Sequence, residues 1–375
     1  MNQLENKSTS WADEQDDPES DLYLSFSSGT KHDEKGNLVI LSTNTADKQK
    51  SPCYIFDSSD KSLVMGNFPI TPEYTSLDQC PITDEVLNQC EIHTACEGCV
   101  IRVFFHEGQW HLATNRKLDA FECRWFSATS FGENFVKALG YPLEDFLSKL
   151  NPGLLYFFLL GNNDDTRIVC KSNPKIYLLQ TLNAFSHRPV SYKFSSDSNI
   201  HIVEKLNIGE LGKTKWSDLC TYVNEMDHEK VQGIIVTKSG VSFKLLNRQY
   251  SYLFGLRNNS SIKFRYLEIR TNPDFRSDFR QLYHLSSDTF DRYEKEIQKL
   301  IKYLFYCYTE RYVNRKFTEI EQDEHVMISK LAIIKKNKPI TLEDMEDYVN
   351  HLNASILNKV IKRNLWSEKK DKKEN

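Results

Sequence analysis

Apolar residues change their period along the chain, and the changes divide it into segments. Residues 1–35 mix Ser, Asp, Glu, Asn and Lys with no apolar period, which predicts a disordered leader. Short β-rich runs follow at Leu38–Leu41 and Cys53–Phe56. The runs Val100–Phe105 and Gln109–Thr114 flank His106-Glu107-Gly108, which predicts a hairpin closed by a glycine turn. Ser130 is placed to cap a helix over Phe131–Leu139, with Phe131, Phe135, Val136 and Leu139 on one face and Gly140 ending it. Further strands are predicted at 154–160, 166–171, 199–203, 231–237, 241–246 and 262–269, and helical patches at 144–150 and 215–226. Strands interrupted by single helices imply an α+β domain built on antiparallel sheets.

Beyond about residue 285 the period becomes helical. Phe290, Tyr293, Ile297, Leu300, Ile301, Leu304, Phe305, Tyr308 and Tyr312 form one stripe, with Arg292, Lys295, Lys299, Lys302 and Arg311 on other faces. Thr341 with Asp344 reads as a capping box opening a helix that carries Met345, Tyr348, Val349, Leu352, Ile356 and Val360. The expected organisation is a leader (1–35), an α+β domain (36–284), an all-α domain of about three helices (285–363) and a frayed basic tail (364–375). No internal repeat of useful length is visible.

Composition narrows the classes. The 375 residues hold 39% apolar side chains, including 22 Phe and 18 Tyr, enough for a substantial core. A net charge of −4 supplies no global attraction to polyanions, so any nucleic-acid binding requires a local basic groove. The amino-terminal residues are polar and acidic, unlike a secretory signal, and the run Leu154–Leu160 is too short to cross a bilayer. Nine cysteines then suit a reducing compartment with free thiols. A cytoplasmic protein, or a virion component, with no membrane partner is expected.

Four pieces carry the candidate chemistry. They are Glu97-Gly98-Cys99-Val100-Ile101, Phe157-Phe158-Leu159-Leu160-Gly161 with Arg167-Ile168-Val169, Gln232-Gly233-Ile234-Ile235-Val236, and Phe243-Lys244-Leu245-Leu246. In order and spacing they resemble the nucleotidyltransferase motifs of covalent nucleic-acid ligases and mRNA capping enzymes, phage-type RNA ligases above all, along with proteins of large DNA viruses. The resemblance covers about residues 95–250. It implies an antiparallel-sheet nucleotidyltransferase core (ATP-grasp-like) followed by a small all-α domain. Glu97, Gly98, Arg102, Phe158, Arg167, Gln232, Gly233 and Lys244 are then expected around a nucleotide or phosphate.

Covalent nucleotidyl transfer needs a lysine amine that is unprotonated near neutral pH, and carboxylates that hold a metal on the phosphates. The family's lysine falls on Ala95 here, its Phe-Glu pair on Phe158-Leu159, its Glu-Gly on Gln232-Gly233, and the second of its two late lysines on Leu246. The resemblance therefore implies a degenerate ligase-like protein without a metal site, which binds a nucleotide, an RNA end or a protein partner such as another viral protein. An alternative keeps an active enzyme using ATP and Mg2+ with Lys117, in Lys117-Leu118-Asp119-Ala120, as nucleophile. A third reading is a structural or virion-associated interaction protein.

Two other groupings have simpler readings. Cys90, His93, Cys96 and Cys99 crowd into ten residues, tighter than the two spaced ligand pairs of a zinc site, and read as free cysteines. The aromatic stripe of 290–312 could stack bases beside basic residues, but its helical period fits core packing better. Arg311, Arg315 and Lys316 read as a solvated face that could also track phosphates.

Overall fold

The computed structural model describes residues 23, 25–26, 29–43, 51–76, 84–125, 127–161, 168–171, 174–195, 198–207, 215–336 and 338–374, with side chains through 364. The chain divides into two compact units, Met1–Ser251 and Tyr252–Asn375.

Among the described residues the first unit holds three sheets. An antiparallel meander joins β1 (Thr30–Lys35), β2 (Leu38–Ser42), β3 (Cys53–Asp57) and β4 (Leu63–Met65). A second sheet has the order β11-β10-β9-β7-β8, from β7 (Gly98–His106), β8 (Gln109–Ala113), β9 (Leu154–Gly161), β10 (Ile176–Asn183) and β11 (Ile200–Ile202). The third has the order β12-β6-β13-β14-β5, from β5 (Glu73–Tyr74), β6 (Glu91–Ala95), β12 (Lys205–Leu206), β13 (Gly233–Lys238) and β14 (Val241–Leu246). These pairings are antiparallel except β10 with β11 and β14 with β5.

Strand β9 shows why this arrangement follows from its sequence. Its eight residues, Leu-Leu-Tyr-Phe-Phe-Leu-Leu-Gly, are all buried, as a continuous apolar run requires when both faces are covered. Leu154, Tyr156, Phe158 and Leu160 pack with α1 (Phe131–Leu139) and α2 (Leu143–Ser148), while Leu155 and Phe157 pack on the meander. The third sheet buries Ile234, Val236, Phe243 and Leu245 under α3 (Trp216–Glu225).

Local signals set several elements. Glu107 (φ 48°) and Gly108 (φ 81°) make the two-residue turn between β7 and β8, matching the twist that hairpins prefer. Helix α1 starts at a full capping box, with the Ser130 hydroxyl accepting from the Glu133 amide and the Glu133 carboxylate accepting from the Ser130 amide. Gly140 closes it at φ 75°.

Other expectations are corrected. The leader ends before residue 35, because Thr30–Lys35 is β1 and Phe26 packs against Val39, Leu41 and Phe56. Residues 1–22 lie outside those described. No strand covers 168–171, and residues 166–167 lie outside the described set. Strand β10 is an element that the sequence pattern does not announce. The predicted strand over 262–269 is the helix α5 (Ile262–Ile269), where Ser261 supplies a cap and Tyr266, Leu267 and Ile269 are buried.

The second unit is helical and begins well before residue 285. It contains α5, α6 (Pro273–Leu282), α7 (Ser287–Tyr308), α8 (Gln322–Ile334), α9 (Leu342–Asn350) and α10 (Ala354–Glu374), while α4 (Arg248–Arg257) contains the division. Leu267 joins the core of α7, and Tyr266 stacks on Phe290 at 4.3 Å, so α5 belongs with these helices. The expected capping box at Thr341 and Asp344 is present. The single helix predicted beyond it is two, broken where the Asn353 side chain accepts from the Ser355 amide. The backbone of 364–374 continues α10 rather than fraying.

Arg102 ties two sheets together. It is fully buried on β7, donating to the Thr114 carbonyl (3.2 and 2.6 Å), the Cys53 carbonyl (2.9 Å) and the Gly66 carbonyl (3.5 Å). Burial pushes its pKa down to about 10, so it remains charged at neutral pH. Arg102→Ala is expected to cost about 3 kcal/mol in urea unfolding, because the carbonyls lose their donors. Arg102→Lys should recover little, since one ammonium cannot span three carbonyls; a loss below about 1 kcal/mol in both would show that the tie is dispensable.

Candidate functional site

A cavity of about 280 Å³ lies between the second and third sheets. Gly98, Val100, Leu159 and Leu179 line it from one sheet, and Thr94, Gln232, Ile235 and Lys244 from the other side. Asn67–Thr71 and Glu73 add a wall, and Asn115 reaches it from the segment after β8. That wall is pinned by the Lys244 amide donating to the Pro72 carbonyl (2.7 Å) and by β5 pairing with β14. A wider groove of about 620 Å³ shares Phe68, Ile70, Leu179, Val203 and Ile235 with it.

Gly98, Gln232 and Lys244, distant in sequence, therefore meet at one cavity. The other expected residues do not line it. Phe158 points to the opposite face of β9, where its ring packs against Phe135, Phe146 and Phe194; its neighbour Leu159 faces the cavity instead. Arg102 serves the carbonyls above and cannot reach a ligand phosphate. Arg167 lies outside the described residues. Gly233 is needed by the backbone: its φ is 145°, and a Cβ there would sit 2.2 Å from the Leu245 carbonyl oxygen. Gly98 is likewise forced by close approach, since a Cβ there would sit 2.5 Å from the Leu160 carbonyl oxygen.

Glu97 is buried and turned to a polar network rather than to the cavity. It accepts from the amides of Ile168 (2.7 Å), Val169 (2.9 Å) and Cys170 (3.2 Å) and from the Tyr250 hydroxyl (3.1 Å). Gln232 Nε2 donates to the same Tyr250 oxygen at 2.7 Å. Burial, with the Glu97 carboxylate beside it, raises the Tyr250 pKa far above the ordinary value. No local signal points to Tyr250 or Glu73, because their partners lie 153 and 171 positions away.

Four groups could be asked to act as nucleophiles or phosphate ligands. Ala95 has no reactive group and is fully buried, its carbonyl accepting from the Gln232 amide at 2.7 Å. The Cys96 thiol is raised by burial, so it is not a ready thiolate. Lys244 forms an ion pair with Glu73 at 2.9 Å. Lys117 sits on a turn two residues past Asn115, its amine 3.0 Å from Asp33 of β1. The hydrogen bond and charge of Asp33 raise the Lys117 pKa above the ordinary lysine value.

Cys90, His93, Cys96 and Cys99 do not converge. Among the described residues the sole cluster of metal-ligand type is Asp57, His106 and Glu107. Burial pushes the Cys99 thiol up to about 12, the reverse of what thiolate ligation needs.

The chain's likeness to known proteins can be set beside this geometry. No protein-family model matches it. It is 27% identical over 302 residues to the immediate-early protein ICP-46 homolog of Invertebrate iridescent virus 3, covering 74% of this chain and 65% of that one. With the homolog of Invertebrate iridescent virus 6 it is 31% identical over 256 residues, 63% of this chain and 56% of the relative. The chain thus spans a little over half to about two thirds of these relatives' length. Its structural neighbours are ligases at low identity. An archaeal ATP-dependent RNA ligase matches with a TM-score of 0.44 and 12% identity, over 70% of this chain and 69% of that chain. A Naegleria gruberi RNA ligase with PPi matches with a TM-score of 0.32 and 13% identity, over 50% and 60%.

Removing the network's hub should be measurable. Tyr250→Phe is expected to destabilise the protein by about 1–3 kcal/mol, because Glu97 and Gln232 both lose a buried partner. Lys117→Ala should stay within about 0.5 kcal/mol, since its ion pair with Asp33 is exposed. Equal losses in the two variants, by urea titration, would contradict this ranking.

Proposed function

We propose that the protein is an RNA-ligase-like member of the nucleotidyltransferase class that has lost covalent chemistry and keeps its cavity for non-covalent recognition. The observation that carries this reading is the cavity itself. Three motif positions, Gly98, Gln232 and Lys244, line it, yet among the described residues neither an activated amine nor a pair of metal-binding carboxylates does. Its one lining carboxylate among those residues, Glu73, is paired with Lys244. The walls otherwise carry apolar side chains, the amides of Asn67, Asn115 and Gln232, the hydroxyls of Thr71 and Thr94 and the Cys96 thiol, neutral groups that suit the base and ribose of a nucleotide or RNA end better than a triphosphate. No metal ligand or ATP-derived adduct belongs to this function. The viral origin of the relatives supports a role in host cytoplasm or virion.

The alternative with Lys117 as nucleophile is disfavoured by its raised pKa, which keeps nearly every copy of the amine protonated at pH 7.

Incubation with α-labelled ATP and GTP in Mg2+ is expected to yield no acid-stable protein adduct. An adduct abolished by Lys117→Ala would overturn the proposal. In equilibrium dialysis, adenosine and ATP should bind within about tenfold of each other, with no gain from Mg2+, because the Lys244 cation on the cavity wall is neutralised. ATP binding more than about a hundredfold tighter would reveal a phosphate site. Absence of binding by either would transfer the cavity to a protein partner.

A further inference from the structure

The large apolar and aromatic residues of α7 and the turn after it fall into two populations. Phe290, Tyr293, Leu300 and Leu304 are buried in the helical core, as core packing predicts. Tyr306 is 57% exposed, and Phe317, a short way beyond the helix end, is 97% exposed. Two large rings left in solvent at one end of a helix contribute nothing to that core.

The sequence from the middle of this helix to just past its end is rich in cations. Lys295, Lys299, Lys302 and Tyr306 are all exposed and recur at intervals of four, three and four, so they share the solvent face of α7. At about 1.5 Å per residue this row is about 16 Å long. Residues 299–317 carry Lys299, Lys302, Arg311, Arg315 and Lys316 against Glu310 alone, in a chain whose net charge is −4. Lys316 pairs with Glu310 and Lys299 with Glu296. Lys295, Lys302, Arg311 and Arg315 form no ion pair with another described residue. Acidic residues resume only at Glu319.

The backbone between Tyr306 and Phe317 is irregular. Thr309–Val313 is a wide π-helical turn, a feature often found at functional positions, and Arg315 is left-handed at φ 53°. Arg311, Arg315 and Lys316 lie between the two exposed rings in sequence.

From these observations we propose that this ridge binds single-stranded nucleic acid, its cations holding the phosphates and Tyr306 and Phe317 stacking on unpaired bases. Charge complementarity selects a polyanion. The rings select one whose bases are free, since a duplex offers no face for stacking except at its ends. A purely acidic protein partner would use the cations but leave both rings without a role. This surface is independent of the cavity in the first unit, and either reading can fail without the other.

Fluorescence anisotropy of the full chain with a labelled 20-nucleotide oligouridylate tests it. Four phosphate contacts predict a slope near −3 for log affinity against log salt. Lys302→Glu with Arg315→Glu should weaken binding by about tenfold or more and flatten that slope. Tyr306→Ala with Phe317→Ala should weaken it by about tenfold with the slope unchanged. All four side chains are exposed, so the variants' circular dichroism and Tm should match wild type. Binding unaffected by the aromatic pair, or equally tight binding of a duplex of the same length, would overturn the proposal. Failure to bind the oligonucleotide at all would overturn it too, and would leave the ridge to an acidic protein partner.

Discussion

The side chain of Glu97 is enclosed by protein, and a polar group removed from water is tolerable only when its oxygens are filled by donors. Here three successive amides, from Ile168, Val169 and Cys170, fill them together with the Tyr250 hydroxyl. Tyr250 in turn receives Gln232, and Gln232 is held by the Ala95 carbonyl. One residue between β6 and β7 thereby fixes the segment after β9, the entry to β13 and the start of α4. The walls of the cavity are set by this knot, since Gly98 is a residue away from it and Gln232 is part of it.

The same knot sets the chemistry of position 232. A glutamine at 232 has an amide that donates to Tyr250, which a carboxylate could not do. Leu159 fills the place where a second acidic residue was expected, and the aliphatic side chain adds apolar wall in place of charge. With Lys244 answered by Glu73, the cavity is close to neutral. The cavity offers shape and hydrogen-bonding groups. Positive charge is concentrated instead on the outer face of α7 and the turn after it, where it faces solvent.

Much of the architecture was legible in local sequence because the signals were short-range. The Ser130 and Thr341 capping boxes, the Glu107-Gly108 turn, the unbroken apolar run of β9 and the helical stripe from Phe290 to Leu304 each follow from steric or hydrogen-bonding rules acting within a few residues. The strand predicted at 262–269 failed because β-rich composition was overruled by the cap at Ser261 and by burial of Tyr266 and Leu267 in a helical core. Among the site residues, Gly98, Gln232 and Lys244 line one cavity.

The chain by itself therefore determined the class of fold, the position of most strands and helices, and the absence of a lysine at 95. Only the tertiary structure decided what each polar group does. Arg102 became a tie between sheets, Glu97 an anchor for a loop more than seventy residues away, and Lys117 a partner of Asp33. The reason is that a side chain's chemistry depends on its partners and its solvent, and for these residues both come from segments far along the chain, which no local pattern encodes.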